Sequence, residues 1–443
     1  MKDKTTAELT RFVLEARLAS IPAAAVRAAK RSIYNWFGLV VQARNHPAVR
    51  IAREWVQTLG GSGATAIGAT RTGAMWAALV NGLASHVEDF DDTHYQTIIH
   101  PTGPVWSAVL AVAEQAHLPG ARALEAFILG VDVECRVGEA VFPSHYNRGY
   151  HITATAGAFG AAAAVGKLLD VDQTQLEEAL GLVSSMASGL RGTFGSMTKP
   201  LHPGKAAMEG IMAAQLARRG FTSGNTGLES RLGFCGVLAD EYDLSRITDH
   251  LGQRWLIEEN AIKPFACGVV AHAAMDGMLR HRQQGVQPHE VGHISLRVHP
   301  RVEQLTGNPT PETGLEGKFS VQHGVAVSLL DGRAGPRQYT DERVRAGEVT
   351  SLRDKVSLYA DHELRLDEAY VTIALHSGEE RTIHVEHAVS SLDNPMSDDM
   401  LDDKVRDLLR DLSEDEFNTL KGHVFSLPEL DGVHTLTAHL ESR

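Results

Sequence analysis

Apolar residues recur at helical spacing through most of the first 285 positions. TAELTRFVLEA begins with a threonine suited to capping, and AAAVRAAKRSIYNWFGLVVQA continues the 3.6-residue rhythm. The segments 104–117, 121–142, 153–168, 174–190 and 203–219 repeat it, with Asp172, Glu177 and Glu178 placed well for the start of the 174–190 helix. Alanine and glycine crowd the faces where these helices would meet, as in TATAGAFGAAAAVGK, which predicts close packing. After about residue 286 the period shifts toward two. HEVGHISLRVHP, DKVSLYAD, AYVTIALHSG and RTIHVEHA read as strands, with HSGEE turning a hairpin over 369–387. KFSVQHGVAVSLLDG reads as one buried helix, and the last 45 or so residues return to helix. The expected fold is mainly α: a helical domain over 1–269, a smaller α+β domain over 270–395, and a helical tail over 396–443 that returns to the first domain.

One stretch breaks the pattern. The apolar run MWAALVNGLAS leads straight into HVEDFDDTHYQTIIHPTG (86–103), with Glu88, Asp89, Asp91 and Asp92 in five positions. Acids at a helix C-terminus oppose the macrodipole, so a solvated helix end is one reading and a functional site the other. Asp89, Asp91 and Thr93 fit a DxDxT phosphatase motif, but the preceding residues are helical where that site needs a strand. A calcium loop fails because His94 stands where glycine is required. A His/Asp metal site lacks any recognisable helical ligand spacing, so no metal is expected.

Composition narrows the rest. The 443 residues carry 42 basic and 55 acidic side chains, a formal charge of −13, which argues against nucleic-acid or anionic-membrane partners. Cys135, Cys235 and Cys267 are far apart and form no CxxC pair, which fits a reducing compartment. Neither a signal core nor a spanning apolar run is found, so a soluble cytoplasmic protein is expected. GAAAAVGKLLD misses the phosphate-loop spacing, and Leu168 replaces its Ser or Thr.

Against this acidic background, the 30 residues from Ala179 to Met208 contain no Asp or Glu, where the chain average predicts between three and four. Arg191, Lys199, His202 and Lys205 stand in that window, in a proline- and glycine-rich loop leading into a helix at 204–219. A basic loop at a helix N-terminus suits a small anion, although a solvated basic turn has the same composition. Lys263, in AIKPFACGVVAHAAMDG, is either a snorkelling lysine or a second anion clamp. His151, in GYHITATAG, opens an alanine-rich helix.

Four blocks taken together resemble the MmgE/PrpD family, whose members include 2-methylcitrate dehydratase, cis-aconitate decarboxylase and iminodisuccinate epimerase. They are NGLASHVEDFDDTHYQTIIHPTGPV (81–105), GYHITATAGAFGAAAAVGKLL (149–169), GSMTKPLHPGKAA (195–207) and IKPFACGVVAH (262–272). The resemblance implies a homodimer, no required cofactor, and an active site between a helical and an α+β domain. Matched to the family's motifs, its catalytic residues are Asp89, Thr93, His100, His151, Lys199 and Lys263. Arg191, His202, Lys205 and His323 are candidates for substrate binding. Gly268 stands where some decarboxylases carry a histidine, and His323 where they carry a tyrosine. The Thr93–His100 spacing also differs by about one residue. These departures weigh against cis-aconitate decarboxylation specifically.

The chemistry that fits is proton transfer beside a carboxylate of a small di- or tricarboxylate. The acids would form one pocket wall, and the basic loop with Lys263 the opposite, anion-binding wall. Lysines can stabilise the developing enolate-like charge without a metal, and histidines move protons near neutral pH. Losing hydroxide makes a hydro-lyase, losing carbon dioxide a decarboxylase, and returning the proton to the other face an epimerase. A non-catalytic binding protein of the same fold is the remaining alternative.

Overall fold

The computed structural model describes residues 4–68, 71–438 and 440. Nine main helices fill its first half: α1 (Thr5–Glu15), α2 (Ala23–Ala43), α3 (Pro47–Gln57), α4 (Ala74–His86), α5 (Thr102–Gln115), α6 (Gly120–Val141), α7 (Ile152–Leu168), α8 (Gln173–Met186) and α9 (Thr198–Arg218). Every residue of α7 is buried, as a helix apolar all round must be. Glycine lets these central helices touch backbone to backbone. A Cβ on Gly204 would lie 2.0 Å from the Leu79 carbonyl oxygen, joining α9 to α4, and one on Gly160 would lie 2.6 Å from that of Gly130, joining α7 to α6.

Two helix boundaries depart from the sequence pattern. α8 stops at Met186 rather than 190, and the chain leaves the helix before a short helical turn over Arg191–Thr193; the Gly189 carbonyl accepts from the His151 amide, and Gly189 has a φ of +150°. α9 begins at Thr198 rather than after the prolines, so Lys199 and His202 stand on its first turns and not on a loop. Pro200 falls among the first amides of the helix, which have no intrahelical partner. Pro203 forfeits one helical hydrogen bond and is accommodated inside α9.

Short strands β1 (Ala64–Thr65) and β2 (Arg71–Thr72) pair with each other. β3 (Asp92–His94) pairs antiparallel with β4 (Asn260–Ile262), setting Asp92 opposite Ile262 and so bringing Lys263 beside the acidic run. A four-stranded sheet follows, in the order β6 (Val356–Ala360), β5 (Val291–Val298), β7 (Ala369–Leu375), β8 (Glu380–Val385). β7 and β8 form the hairpin that the alternation predicts, with Ala369 opposite Val385. Against the sheet lies α10 (His272–Gln283), close enough that a Cβ on Gly277 would meet Val371 at 2.6 Å. α11 (Val321–Asp331) packs on α10 and is capped by the Ser320 hydroxyl. The fold is thus mainly α with a smaller α+β region.

α12 (Asp398–Leu408) and α13 (Glu414–Phe425) lie on α2, where Tyr34 donates to Asp402 at 2.8 Å. The segment VHTLTAHLES is only a short turn over Val433–Leu436, and 439 and 441–443 lie outside the described residues. Among the described residues no helix is long and apolar enough to cross a membrane. The three cysteines are free and buried.

Candidate active site

The acidic run is not a solvated helix end. Glu88, Asp89, Asp91 and Asp92 are between 1% and 8% exposed. Buried carboxylates need partners, and each has one. Asp89 turns in the left-handed region, φ +49°, three positions after α4 ends at His86. Its Oδ2 lies 2.9 Å from Lys199 Nζ and its Oδ1 2.5 Å from Lys263 Nζ. Asp91 Oδ1 meets the same Lys263 at 3.1 Å, and its Oδ2 meets His86 Nδ1 at 2.5 Å. Asp92 accepts from Thr102 and Asn260, and Lys318 Nζ donates to Glu88 Oε2 at 3.1 Å.

These contacts set the charges. Burial pushes the Asp89 carboxyl up, but Lys199 and Lys263 outweigh it and hold it well below its usual range. Asp91 is likewise held down, by His86 and Lys263 against burial. Asp92, buried beside Asp91 and facing no cation, rises to about 6. Lys199 is lowered by burial and Lys263 is raised, because two carboxylates overcome its desolvation.

The histidines are held neutral. The Asp92 carbonyl, 2.8 Å from His100 Nδ1, can only accept, so Nδ1 carries the proton. Thr93 Oγ1 stands 3.1 Å from the same nitrogen. His100 Nε2 is therefore left as an unprotonated base, and burial, reinforced by Lys263, keeps the ring well below its usual value. His151 Nδ1 and His202 Nδ1 lie 2.8 Å apart and share one proton between them. Burial lowers both, His202 to about 4.

Asp89, His100, His151, Lys199, Tyr146, Phe194, Gly268, Thr306 and Phe319 line a pocket between the helical and α+β regions. Its cavity is about 40 Å³, room for one or a few waters. Phe194 and Phe319 stack across it with ring centroids 5.3 Å apart.

Not every expected site residue reaches this pocket. Lys263 is 1% exposed and stands behind Asp89, on the acidic wall rather than opposite it, because a lysine without water must pair. Lys205 pairs with Glu209 at 2.7 Å, an acid one position beyond the acid-free window. His323 Nε2 bonds the Gln338 carbonyl at 2.8 Å, with its ring against Tyr339, away from the pocket. Arg191 stacks 4.0 Å over the pocket-lining Tyr146 and leaves its Nε without a partner. His202 acts on the pocket through His151.

The sequence reading missed His86, Lys318 and Lys404. The first two sit inside quoted segments, where spacing alone gave them no distinction. Lys404, on α12, donates to the Phe90 and Lys263 carbonyls at 2.6 and 2.8 Å, tying the tail to the site. Nothing local in DDMLDDKVRDLL announces that contact.

His86, His100 and His151 present ring nitrogens within 4.8 Å of one another, and His86, Asp89 and Asp91 form a second such group. Either set has the donor chemistry for a divalent ion. Lys199 and Lys263 already supply the positive charge at these carboxylates, which disfavours a further cation there.

The family model for the MmgE/PrpD N-terminal domain matches residues 7–247, and that for the C-terminal domain matches 265–420. The chain belongs to the MmgE/PrpD family. This MmgE/PrpD protein is 30% identical over 324 residues to cis-aconitate decarboxylase of Mus musculus, covering 68% of this chain and 64% of that enzyme. The Homo sapiens enzyme is 30% identical over 296 residues, covering 64% and 61%. Both matches thus span less than two thirds of the relative's own length. A cis-aconitate decarboxylase-like protein of Aspergillus oryzae is 25% identical over 428 residues, 89% of this chain and 88% of that one. Within the MmgE/PrpD pocket, Gly268 has no space for a side chain as placed: a Cβ there would meet Thr306 at 2.9 Å.

Proposed function

We propose that this protein is a cofactor-independent lyase that moves a proton beside a carboxylate of a small di- or tricarboxylate. The observation that carries the reading is His100, whose Nδ1–H is fixed by the Asp92 carbonyl so that a neutral Nε2 is left for the pocket. A base needs a stabiliser for the charge it generates. Lys199 lines the same pocket, its ammonium held by Asp89 and lying over Phe194 and Phe319 at 5.5 and 5.3 Å from the ring centroids.

His100 Nε2 takes the proton from the carbon, and Lys199 holds the oxygen on which negative charge develops. In the hydro-lyase reaction the C–O bond to the neighbouring carbon then breaks. His151 gives its proton to the departing hydroxide, water leaves, and a double bond remains. In a decarboxylase no proton is first removed: the C–CO₂ bond breaks, its electron pair stays on the carbon fragment, carbon dioxide leaves, and a protonated pocket histidine delivers the proton to carbon. The relatives' names favour the decarboxylase, whereas Gly268 departs from the decarboxylase pattern. The cavity as it stands is smaller than a tricarboxylate, so binding requires the pocket to open.

Epimerisation is the second reading. It is favoured by two neutral histidines on one pocket, His100 and His151, with ring centroids 6.3 Å apart, since one could remove a proton and the other return it. The proposal extends to a homodimer, as the family resemblance implies, in the reducing cytoplasm that the three free cysteines suit. Incubation with a panel of polycarboxylates followed by NMR separates the readings: an alkene product marks a hydro-lyase, loss of carbon dioxide a decarboxylase, and inversion an epimerase. Inertness of the folded protein toward every member of the panel contradicts all three.

A further inference from the structure

A second convergence of ligand atoms lies apart from the pocket, at the end of β3. His94 Nδ1 is held by the Thr97 hydroxyl at 2.8 Å, which leaves Nε2 as its free ligand atom. That nitrogen is fully buried, has no hydrogen-bond partner, and faces two carboxylates. Glu139 Oε1 is 4.0 Å away and Glu259 Oε2 3.8 Å, both too long for hydrogen bonds. The ligand atoms of the three residues all lie within 4.8 Å of one another. In a triangle with such sides, the point equidistant from the corners is about 2.5 Å or less from each, within a few tenths of an ångström of bonds to first-row divalent ions.

The surroundings support a cation there. Arg254 grips both carboxylates with four hydrogen bonds of 2.6–2.9 Å, which fixes their orientation as outer-shell donors do around metal ligands. Two carboxylates against one guanidinium leave one net negative charge facing the unpartnered His94 nitrogen. An open cavity of about 360 Å³ adjoins the cluster, lined by Glu139, Gln96 and Thr97 and by the further acids Glu241 and Asp243, with Arg246. It offers an entry path, water to complete a coordination shell, and acids that concentrate cations.

We propose that His94, Glu139 and Glu259 bind a first-row divalent cation such as zinc or manganese. One nitrogen and two carboxylate oxygens with open positions suit that class of ion. The ion would staple β3 to α6 and to the helical turn Leu256–Glu259 that runs into β4, bracing the strand that carries Thr93. The site is independent of the proposed lyase reaction and departs from the metal-free expectation, which spacing alone could not correct because its ligands come from three distant segments.

Isothermal titration of the chelator-treated full chain with zinc or manganese chloride tests the site. The expected result is one equivalent bound per chain, with affinity lowered at least about tenfold in both His94→Gln and Glu259→Gln. Cobalt should give a visible absorption band that His94→Gln changes. Glu259 is 23% exposed, so Glu259→Gln keeps the test usable should the buried His94 variant fail to fold. Absence of stoichiometric binding to the folded wild type overturns the proposal, as does binding unchanged in Glu259→Gln. Binding lost instead in His86→Asn, with Glu259→Gln unaffected, would place the ion at the pocket histidines and also overturn it.

Discussion

Replacing Lys263 by methionine keeps the length of the side chain and deletes its charge. Lys263 Nζ lies 2.5 Å from Asp89 and 3.1 Å from Asp91 and is 1% exposed. Two lysines balance these two carboxylates, so Lys263→Met leaves one buried negative charge without its counter-ion. Breaking a buried pair from one side costs about 3–5 kcal/mol. With an unfolding entropy of about 2.1 cal/mol/K per residue, a chain of 443 residues should lose about 3–5 °C in Tm. The deficit should also depend on pH. In the wild type both carboxyls are held below their unfolded values, so their contribution is complete above about pH 4 and is lost as pH falls through the lower folded values. In the variant, burial without the cation pushes a carboxyl up, so the deficit should be largest near pH 7 and shrink toward pH 5. Scanning calorimetry of both proteins at the two pH values measures this. A variant Tm within about 1 °C of wild type at pH 7, or a deficit that grows at pH 5, refutes the assignment of Lys263 as the buried counter-ion.

Lys199→Ala should lower turnover by about 10–150-fold, the worth of one charge-assisted contact of about 1.5–3 kcal/mol, with a smaller Tm loss than Lys263→Met; steady-state rates alongside calorimetry check both. His100→Asn should lose about 10²–10⁴-fold in turnover while calorimetry still detects substrate binding, whereas His151→Asn should weaken binding as well. Below pH 6.5 the unfolded chain protonates histidines that the fold keeps neutral. His202, at about 4 in the folded protein, should therefore make stability fall from pH 6.5 toward 4, and His202→Asn should flatten that slope in a pH series of denaturant melts.

Much of this was legible in sequence because period carries it. The helix-to-strand change near residue 286 and the 369–387 hairpin follow from side-chain spacing, and close packing at Gly160 follows from residue size. Asp89, His100, His151 and Lys199 share a pocket, and each lies in a block that the family resemblance had marked. What could not be read was the direction a charged side chain takes. Lys263 and Lys199 look alike in sequence, yet β3–β4 pairing sets one behind Asp89 and α9 sets the other at the cavity. Lys205 was drawn off by Glu209 through simple i,i+4 geometry. Lys404 comes from a helix more than 300 residues distant from Phe90, and only tertiary packing brings them together.

The central claim is that His100 removes a proton from carbon beside a carboxylate. Solvent exchange tests it without knowledge of the product. Polycarboxylates are incubated with the protein in heavy water, and deuterium at the carbon is followed by NMR in wild type and His100→Asn. The account predicts wild-type incorporation, or conversion with incorporation, into at least one compound, and a loss of about 10²–10⁴-fold in the folded variant. Incorporation that persists at the wild-type rate in His100→Asn would contradict it.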